Sequence, residues 1–172
     1  SLKLGYGNEK INDLRNEKGP IGVQIFDNRP FSVAEAAKES EDSGAFLIDI
    51  NMGCPVKKIA KKGGGSALIK DPKLAVEIVK RISKAVKVPI TVKTRIGWNC
   101  YDKKIADFIL RLQDAGANML TIHGRTREQG FSGKADWEII GELKEILEIP
   151  VIANGDIRNA DDAKKCLKIT NA

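Results

Sequence analysis

The chain has 172 residues, 42% of them hydrophobic and 30% charged, enough for a sizeable core in a single domain. No run approaches the roughly 18 to 20 apolar residues of a membrane span, and the N-terminus lacks the charged-then-apolar layout of a signal peptide; a cytoplasmic location with no membrane partner is expected. The net charge of +6 eases the approach of a polyanion through counterion release, although many ordinary proteins are equally basic and charge alone is weak evidence for nucleic acid.

Along the chain, short β-rich apolar runs alternate with longer helical patterns, the signal of βαβ units and a parallel sheet. A first strand is read at residues 21–26, followed by a helix that Ser32 and Glu35 open as a capping box before Ala36 and Ala37. A second strand at 45–51 runs into Met52, Gly53, Cys54 and Pro55. Gly63, Gly64 and Gly65 follow, read as part of a mobile loop over a site at this end or as a plain turn into the next helix. That helix starts at Asp71, an N-cap before Pro72, and Leu74, Ile78 and Ile82 recur four apart on one face.

A strand at 88–93 precedes a helix that carries Ile105, Phe108, Ile109 and Leu112 and stops near Gly116. After a strand at 119–123, Asp136 caps a helix with Ile139, Ile140, Leu143 and Leu147 inward. The last strand, 150–153, leads to a helix opened by Asn159 and Asp162. Most of these strands read as continuous apolar runs, as strands covered on both faces do. Strand starts recur about every 32 residues, the spacing of a (β/α)8 barrel of roughly 250 residues, of which about five units are present. An open doubly wound sheet also accepts five parallel strands, but no GxGxxG fingerprint follows the first of them.

The cysteines Cys54, Cys100 and Cys166 are widely spaced and form no CxxC pair, so neither a disulfide framework nor a metal site is expected. Cys166, in an amphipathic stretch, reads as a small core residue.

In either architecture ligands sit beyond the carboxyl ends of the strands. The residues there are Gln24, then Asn51 to Pro55, then Lys93, Thr94 and Arg95, then His123, Gly124 and Arg125, then Asn154, Gly155 and Asp156. Singly each has a bland reading: Lys93 snorkels to solvent, Asn154 with Gly155 is a common turn, and His123 is a satisfied structural histidine. Their recurrence at equivalent positions of successive strands favours one shared site, because buried polar groups need partners.

The strings Ile48-Asp49-Ile50-Asn51-Met52-Gly53-Cys54-Pro55, Val92-Lys93-Thr94-Arg95, Thr121-Ile122-His123-Gly124-Arg125-Thr126 and Val151-Ile152-Ala153-Asn154-Gly155-Asp156-Ile157 resemble, in order, the signature segments of tRNA-dihydrouridine synthases, most closely the bacterial branch. The resemblance implies an α/β fold: a partial (β/α)8 TIM barrel holding the third to seventh strands of the family barrel. It implies FMN at the barrel mouth, NADPH or NADH as reductant, and tRNA as substrate, reduced at uridine to 5,6-dihydrouridine.

By the same resemblance Gln24, Lys93 and His123 are similar to residues around the isoalloxazine ring. Asn154, Gly155 and Asp156 are similar to part of the loop near the ribityl phosphate. Arg95 matches a position near the uracil, Asn51 one beside the cysteine, and Cys54 the general acid that protonates C5 after hydride reaches C6. A thiol is chemically apt for that step, because it stays protonated at neutral pH without strong burial.

Against the family pattern, the first two strands, the eighth strand and the helical tRNA-binding domain have no counterpart. Gly5, Tyr6, Gly7 and Asn8 read as the trailing part of the second unit, and Ser1 and Leu2 as a cloning remnant. Residues 1–172 are therefore expected to be a central piece of the FMN-binding catalytic barrel, weak or inactive alone. Two other readings stand beside this one: an FMN-dependent pyrimidine oxidoreductase of the dihydroorotate or dihydropyrimidine dehydrogenase type, and a non-catalytic RNA-binding fragment. Trp98 and Trp137 stand in settings where packing is commoner than a stacking platform, and neither is assigned a role.

Overall fold

The computed structural model describes residue 14 and residues 18–101 and 104–172; the stretch from Gly5 to Asn8 lies outside them. The elements are β1 (Gly22–Ile25), α1 (Pro30–Asp42), β2 (Leu47–Asn51), α2 (Lys57–Lys61), a 3-10 helix (Gly65–Lys70), α3 (Pro72–Ala85), β3 (Ile90–Arg95), α4 (Lys104–Asp114), β4 (Met119–His123), α5 (Trp137–Glu145), β5 (Val151–Asn154) and α6 (Ala160–Thr170). The five strands form one sheet in sequential order, every neighbouring pair parallel. Sequential parallel strands with helices between them are a sector of a (β/α) barrel, as the strand spacing predicts.

Three of the helix-start expectations hold at the level of single hydrogen bonds: Asp71 accepts from Leu74 N and Asp136 from Ile139 N. Asn159 likewise accepts from Asp162 N. The first helix differs. It begins at Pro30 with Arg29 as its N-cap, so Ser32 and Glu35 lie inside it and form no capping box. Proline at the first helical position fixes φ where no N–H is needed, and this moves the start ahead of the Ser/Glu pair.

Ile48, Ile50, Val92, Leu120 and Ile122 are buried beneath a helical layer that contributes Ile78, Ile82, Phe108, Ile109, Leu112, Ile140 and Leu143. Cys166 joins this buried set, as its amphipathic surroundings predict. The expectation of apolar cover on both strand faces is not met. Side chains on the second face form cross-strand rows: Gln24, Asp49 and Thr91; then Asn51, Lys93 and Thr121; then Arg95, His123 and Asn154. Alternation in β3, Ile-Thr-Val-Lys-Thr-Arg, places its charged residues on this polar face, and β3 continues two residues beyond the predicted end.

Side chains at helix ends secure the opposite edge of the sheet. Glu41 accepts from Lys87 N and Val88 N ahead of β3, and Gln113 accepts from Glu148 N and Ile149 N ahead of β5. None of the helices among the described residues is long and apolar enough to cross a membrane. Replacing Ile78, fully buried in α3, with Ala should cost about 2–5 kcal/mol in urea unfolding. Leu167→Ala, at a side chain 57% exposed, should stay within about 0.5 kcal/mol. Equal losses at the two positions would contradict this division between core and surface.

Candidate active site

At the end of β2, Asn51 turns its side chain back onto the chain. Its Oδ1 accepts from Gly53 N at 3.1 Å and Cys54 N at 3.0 Å, and its Nδ2 donates to Gln24 Oε1 at 2.9 Å. Gln24 Nε2 in turn donates to Asp49 Oδ2 at 2.6 Å, and Thr91 Oγ1 donates to Asp49 Oδ1 at 2.6 Å. The carboxylate of Asp49 can only accept. It therefore orients the Gln24 amide, and through it the Asn51 amide that sets the Cys54 turn.

Two further elements hold the same turn. The buried Arg95 donates from Nε to Gly53 O at 2.8 Å, and Ser66 N donates to Cys54 O at 3.2 Å. Gly65 has φ +58°, and a Cβ there would stand 3.0 Å from Cys54 Cβ and 3.1 Å from Cys54 O. The glycine run thus both turns the chain into the 3-10 helix and makes room for the cysteine.

Across the sheet, Lys93 Nζ donates to Asn154 Oδ1 at 2.8 Å. Burial pushes the Lys93 ammonium below its usual pKa and nearby Arg95 adds to this, while Asp49 opposes it. His123 is buried, and desolvation together with Arg95, Lys93 and Arg125 lowers its pKa to about 4, against the opposing pull of Asp156. Arg125 Nη1 lies 3.3 Å from His123 Nε2. Guanidinium can only donate, so Nε2 accepts and Nδ1 carries the proton of the neutral ring.

Arg125 is itself fixed by Asp156, whose two carboxylate oxygens accept from its Nη2 at 2.7 and 2.8 Å. The Ala135 N–H, first, and Arg125 hold the Asp156 carboxyl below the usual carboxylate range. Gly155 has φ +118°, and a Cβ there would come within 2.7 Å of Ala135 Cβ and 3.1 Å of the His123 ring. Arg95 Nη1 donates to Thr126 O and Gly130 O, which places the exposed Phe131 ring 5.8 Å from its guanidinium carbon and 6.4 Å from His123.

Gln24, Asn51, Lys93, Arg95, His123 and Asn154 therefore share one face, with the Cys54 turn and the Gly155–Asp156 turn at the same edge. Asp156 is directed at Arg125 and Ala135. Asp49 and Thr91 belong to the network and had no part in the sequence reading, which named Arg125 at the end of its strand but gave it no task; a carboxylate inside the apolar run Leu-Ile-Asp-Ile-Asn was the available signal. A groove of about 840 Å³ lies between β1, α1 and α2 and takes in Gln24 but none of Cys54, Lys93 or His123. Donor and acceptor side chains converge instead on the polar sheet face.

The dihydrouridine synthase family model matches residues 6–172. The chain is 52% identical over 163 residues to "Probable tRNA-dihydrouridine synthase 1" of a Synechocystis species, covering 95% of this chain and 46% of that protein. It is 45% identical over 161 residues to "tRNA-dihydrouridine synthase B" of Xanthomonas axonopodis, covering 93% of this chain and 48% of the relative. Among solved structures, a candidate lyase/mutase from Burkholderia cenocepacia superposes with a TM-score of 0.64 at 17% identity, over 94% of this chain and 59% of the other. A candidate deoxyribose-phosphate aldolase from Toxoplasma gondii superposes at 0.65 and 15% identity, over 95% of this chain and 69% of the other. The structural likenesses are of fold alone. The chain belongs to the dihydrouridine synthase family, with its relatives in bacteria, and it spans about half the length of the curated relatives it matches.

The single histidine of the chain gives an unambiguous test of the site's electrostatics. Its folded pKa of about 4 lies below the ordinary imidazole value of 6.5. Between those values the unfolded state binds more protons, so the His123 contribution to stability falls as pH drops through that window and is constant above it. An imidazole NMR titration should show a neutral, Nδ1-protonated ring down to about pH 5. A midpoint near 6.5 would refute the described environment.

Proposed function

We propose that this sector forms part of the active site of an enzyme that reduces uridine in tRNA to 5,6-dihydrouridine, using FMN and a nicotinamide reductant, in the cytoplasm. The observation that carries the reading is the register placing Lys93, His123 and Asn154 on the sheet face whose edge holds Cys54. These groups suit FMN by the chemistry of the donor set: an ammonium and a neutral imidazole N–H complement an electron-rich ring edge. Gln24, Lys93 and His123 are assigned to the ring, and Asn154, Gly155 and Asp156 to the ribityl phosphate side. When bound, FMN supplies the hydride, drawn from NADPH or NADH, that reaches C6 of the uracil.

The side chains then have separable tasks. Lys93 and His123 offer N–H groups and positive potential to the ring. Hydride addition at C6 leaves an electron pair at C5 and charge on the O4 carbonyl; the Cys54 thiol gives its proton to C5 and is reprotonated from solvent. Arg95, next to the Cys54 turn, stabilises negative charge on the uracil, and Asn51 aims the turn. A uridine inside folded tRNA must be extruded to reach such a site, which the basic chain assists by holding the backbone.

The test is dihydrouridine formation on an unmodified tRNA transcript by protein carrying this chain at the length of its relatives. Free uracil should be a poor acceptor; equal use of it would overturn the tRNA assignment. Cys54→Ala should keep flavin content and reduction by NADPH, yet oxidation of the reduced enzyme by tRNA should slow about 10²- to 10⁴-fold. A variant within about threefold of the wild-type rate, chemistry limiting, would end the general-acid role. By itself the 172-residue chain should bind FMN weakly, since it spans about half of its relatives; submicromolar affinity in a fluorescence titration would contradict this.

A further inference from the structure

Outside the residues given roles above, three loops at the same sheet edge converge on Trp98. Lys70 ends the 3-10 helix that follows the Cys54 turn, Trp98 lies after β3, and Arg127 lies after β4. Lys70 Nζ and the Arg127 guanidinium carbon each stand 4.8 Å from the Trp98 ring centroid, so at most twice that distance separates the two charges. The backbone fixes the arrangement: Arg127 N donates to Gly97 O at 3.0 Å and Glu128 N to Trp98 O at 2.9 Å. A groove of about 340 Å³ runs beside the ring, lined in part by Ile69, Gly97 and Asn99.

Neither Lys70 nor Arg127 has a carboxylate partner among the described residues, and Arg127 Nε is buried without any acceptor. Arg125, by contrast, is paired with the Asp156 carboxylate through Nη2. Two un-neutralised cations held within a Debye length of each other repel, and the aromatic face offsets only part of this. An anion bridging them removes the repulsion.

We propose that Lys70, Trp98 and Arg127 form a phosphodiester-binding subsite at the rim of the active site, gripping the RNA backbone next to the extruded uridine. This rests on the tRNA reading above and adds to it the residues that position the strand. Trp98 keeps the two cations within twice 4.8 Å of each other, and the groove gives a neighbouring nucleotide room. The subsite carries no base readout, because its contacts are charge and a ring face.

Fluorescence anisotropy with a labelled, unmodified tRNA transcript across a salt series tests it, using the 172-residue chain. Lys70→Gln with Arg127→Gln should weaken binding and reduce the slope of log affinity against log salt by roughly 0.7–0.9 per lost contact. Lys80→Gln, on the outer face of α3, should leave both unchanged, and Arg127→Lys should restore most of the slope. Circular dichroism and the urea midpoint check that each variant is folded. A double variant matching wild type in slope and affinity would overturn the subsite while leaving the reductase reading intact. A wild-type chain with no salt-dependent tRNA binding would also overturn it. Failure of the dihydrouridine assay would instead bring down the reading beneath it.

Discussion

Strand register is the constraint on which the polar face depends. In a parallel sheet a slip of one residue exchanges the two faces of a strand. If β3 slipped in this way, Lys93 and Arg95 would enter the helical layer, and Val92 would leave it. The helical layer forbids this: Val92, Leu120 and Ile122 are fully buried beneath it, and their burial fixes the opposite phase of Lys93, Thr121 and His123. The apolar core on one face thus sets the positions of the charged groups on the other.

That placement concentrates positive charge. Lys93, Arg95 and Arg125 surround a histidine whose pKa is lowered first by burial and then by these cations, with Asp156 opposing them at His123 and Asp49 at Lys93. Each carboxylate is already committed to hydrogen bonds, Asp49 to Gln24 and Thr91, Asp156 to Arg125 and Ala135 N. Charged groups this close are unfavourable unless held by such contacts or by a ligand of opposite character. A site of this sign suits an electron-rich or anionic ligand, and the same excess extends to the rim at Trp98.

Much of this was legible in the sequence because it is local. Asp71, Asp136 and Asn159 cap their helices within three residues, and the strands are punctuated by apolar runs. The start of the first helix was misread because two local signals competed and Pro30 prevailed over Ser32 and Glu35. Face assignment was misread for a different reason. Short strands such as Leu-Ile-Asp-Ile-Asn look continuously apolar until Asp49 is placed opposite Thr91, a pairing 42 residues away. Long-range partners of this kind, including Arg125 with Asp156, belong to topology and have no signature in composition or periodicity.

The cysteine turn separates architecture from chemistry. Cys54 is positioned through its backbone: its N–H by Asn51, its carbonyl by Ser66, and the preceding carbonyl by Arg95. Among the described residues no hydrogen bond reaches its sulfur, and the side chain is only partly buried. A small residue of another kind would satisfy the same turn, so packing does not account for a thiol there. The demands on Gly65 are of the opposite type, since a side chain at that position would strike Cys54 itself. Gly65 is thus set by space, whereas the turn leaves the side chain of residue 54 free of any packing demand for sulfur, the pattern expected where a fold presents a group without depending on it for stability.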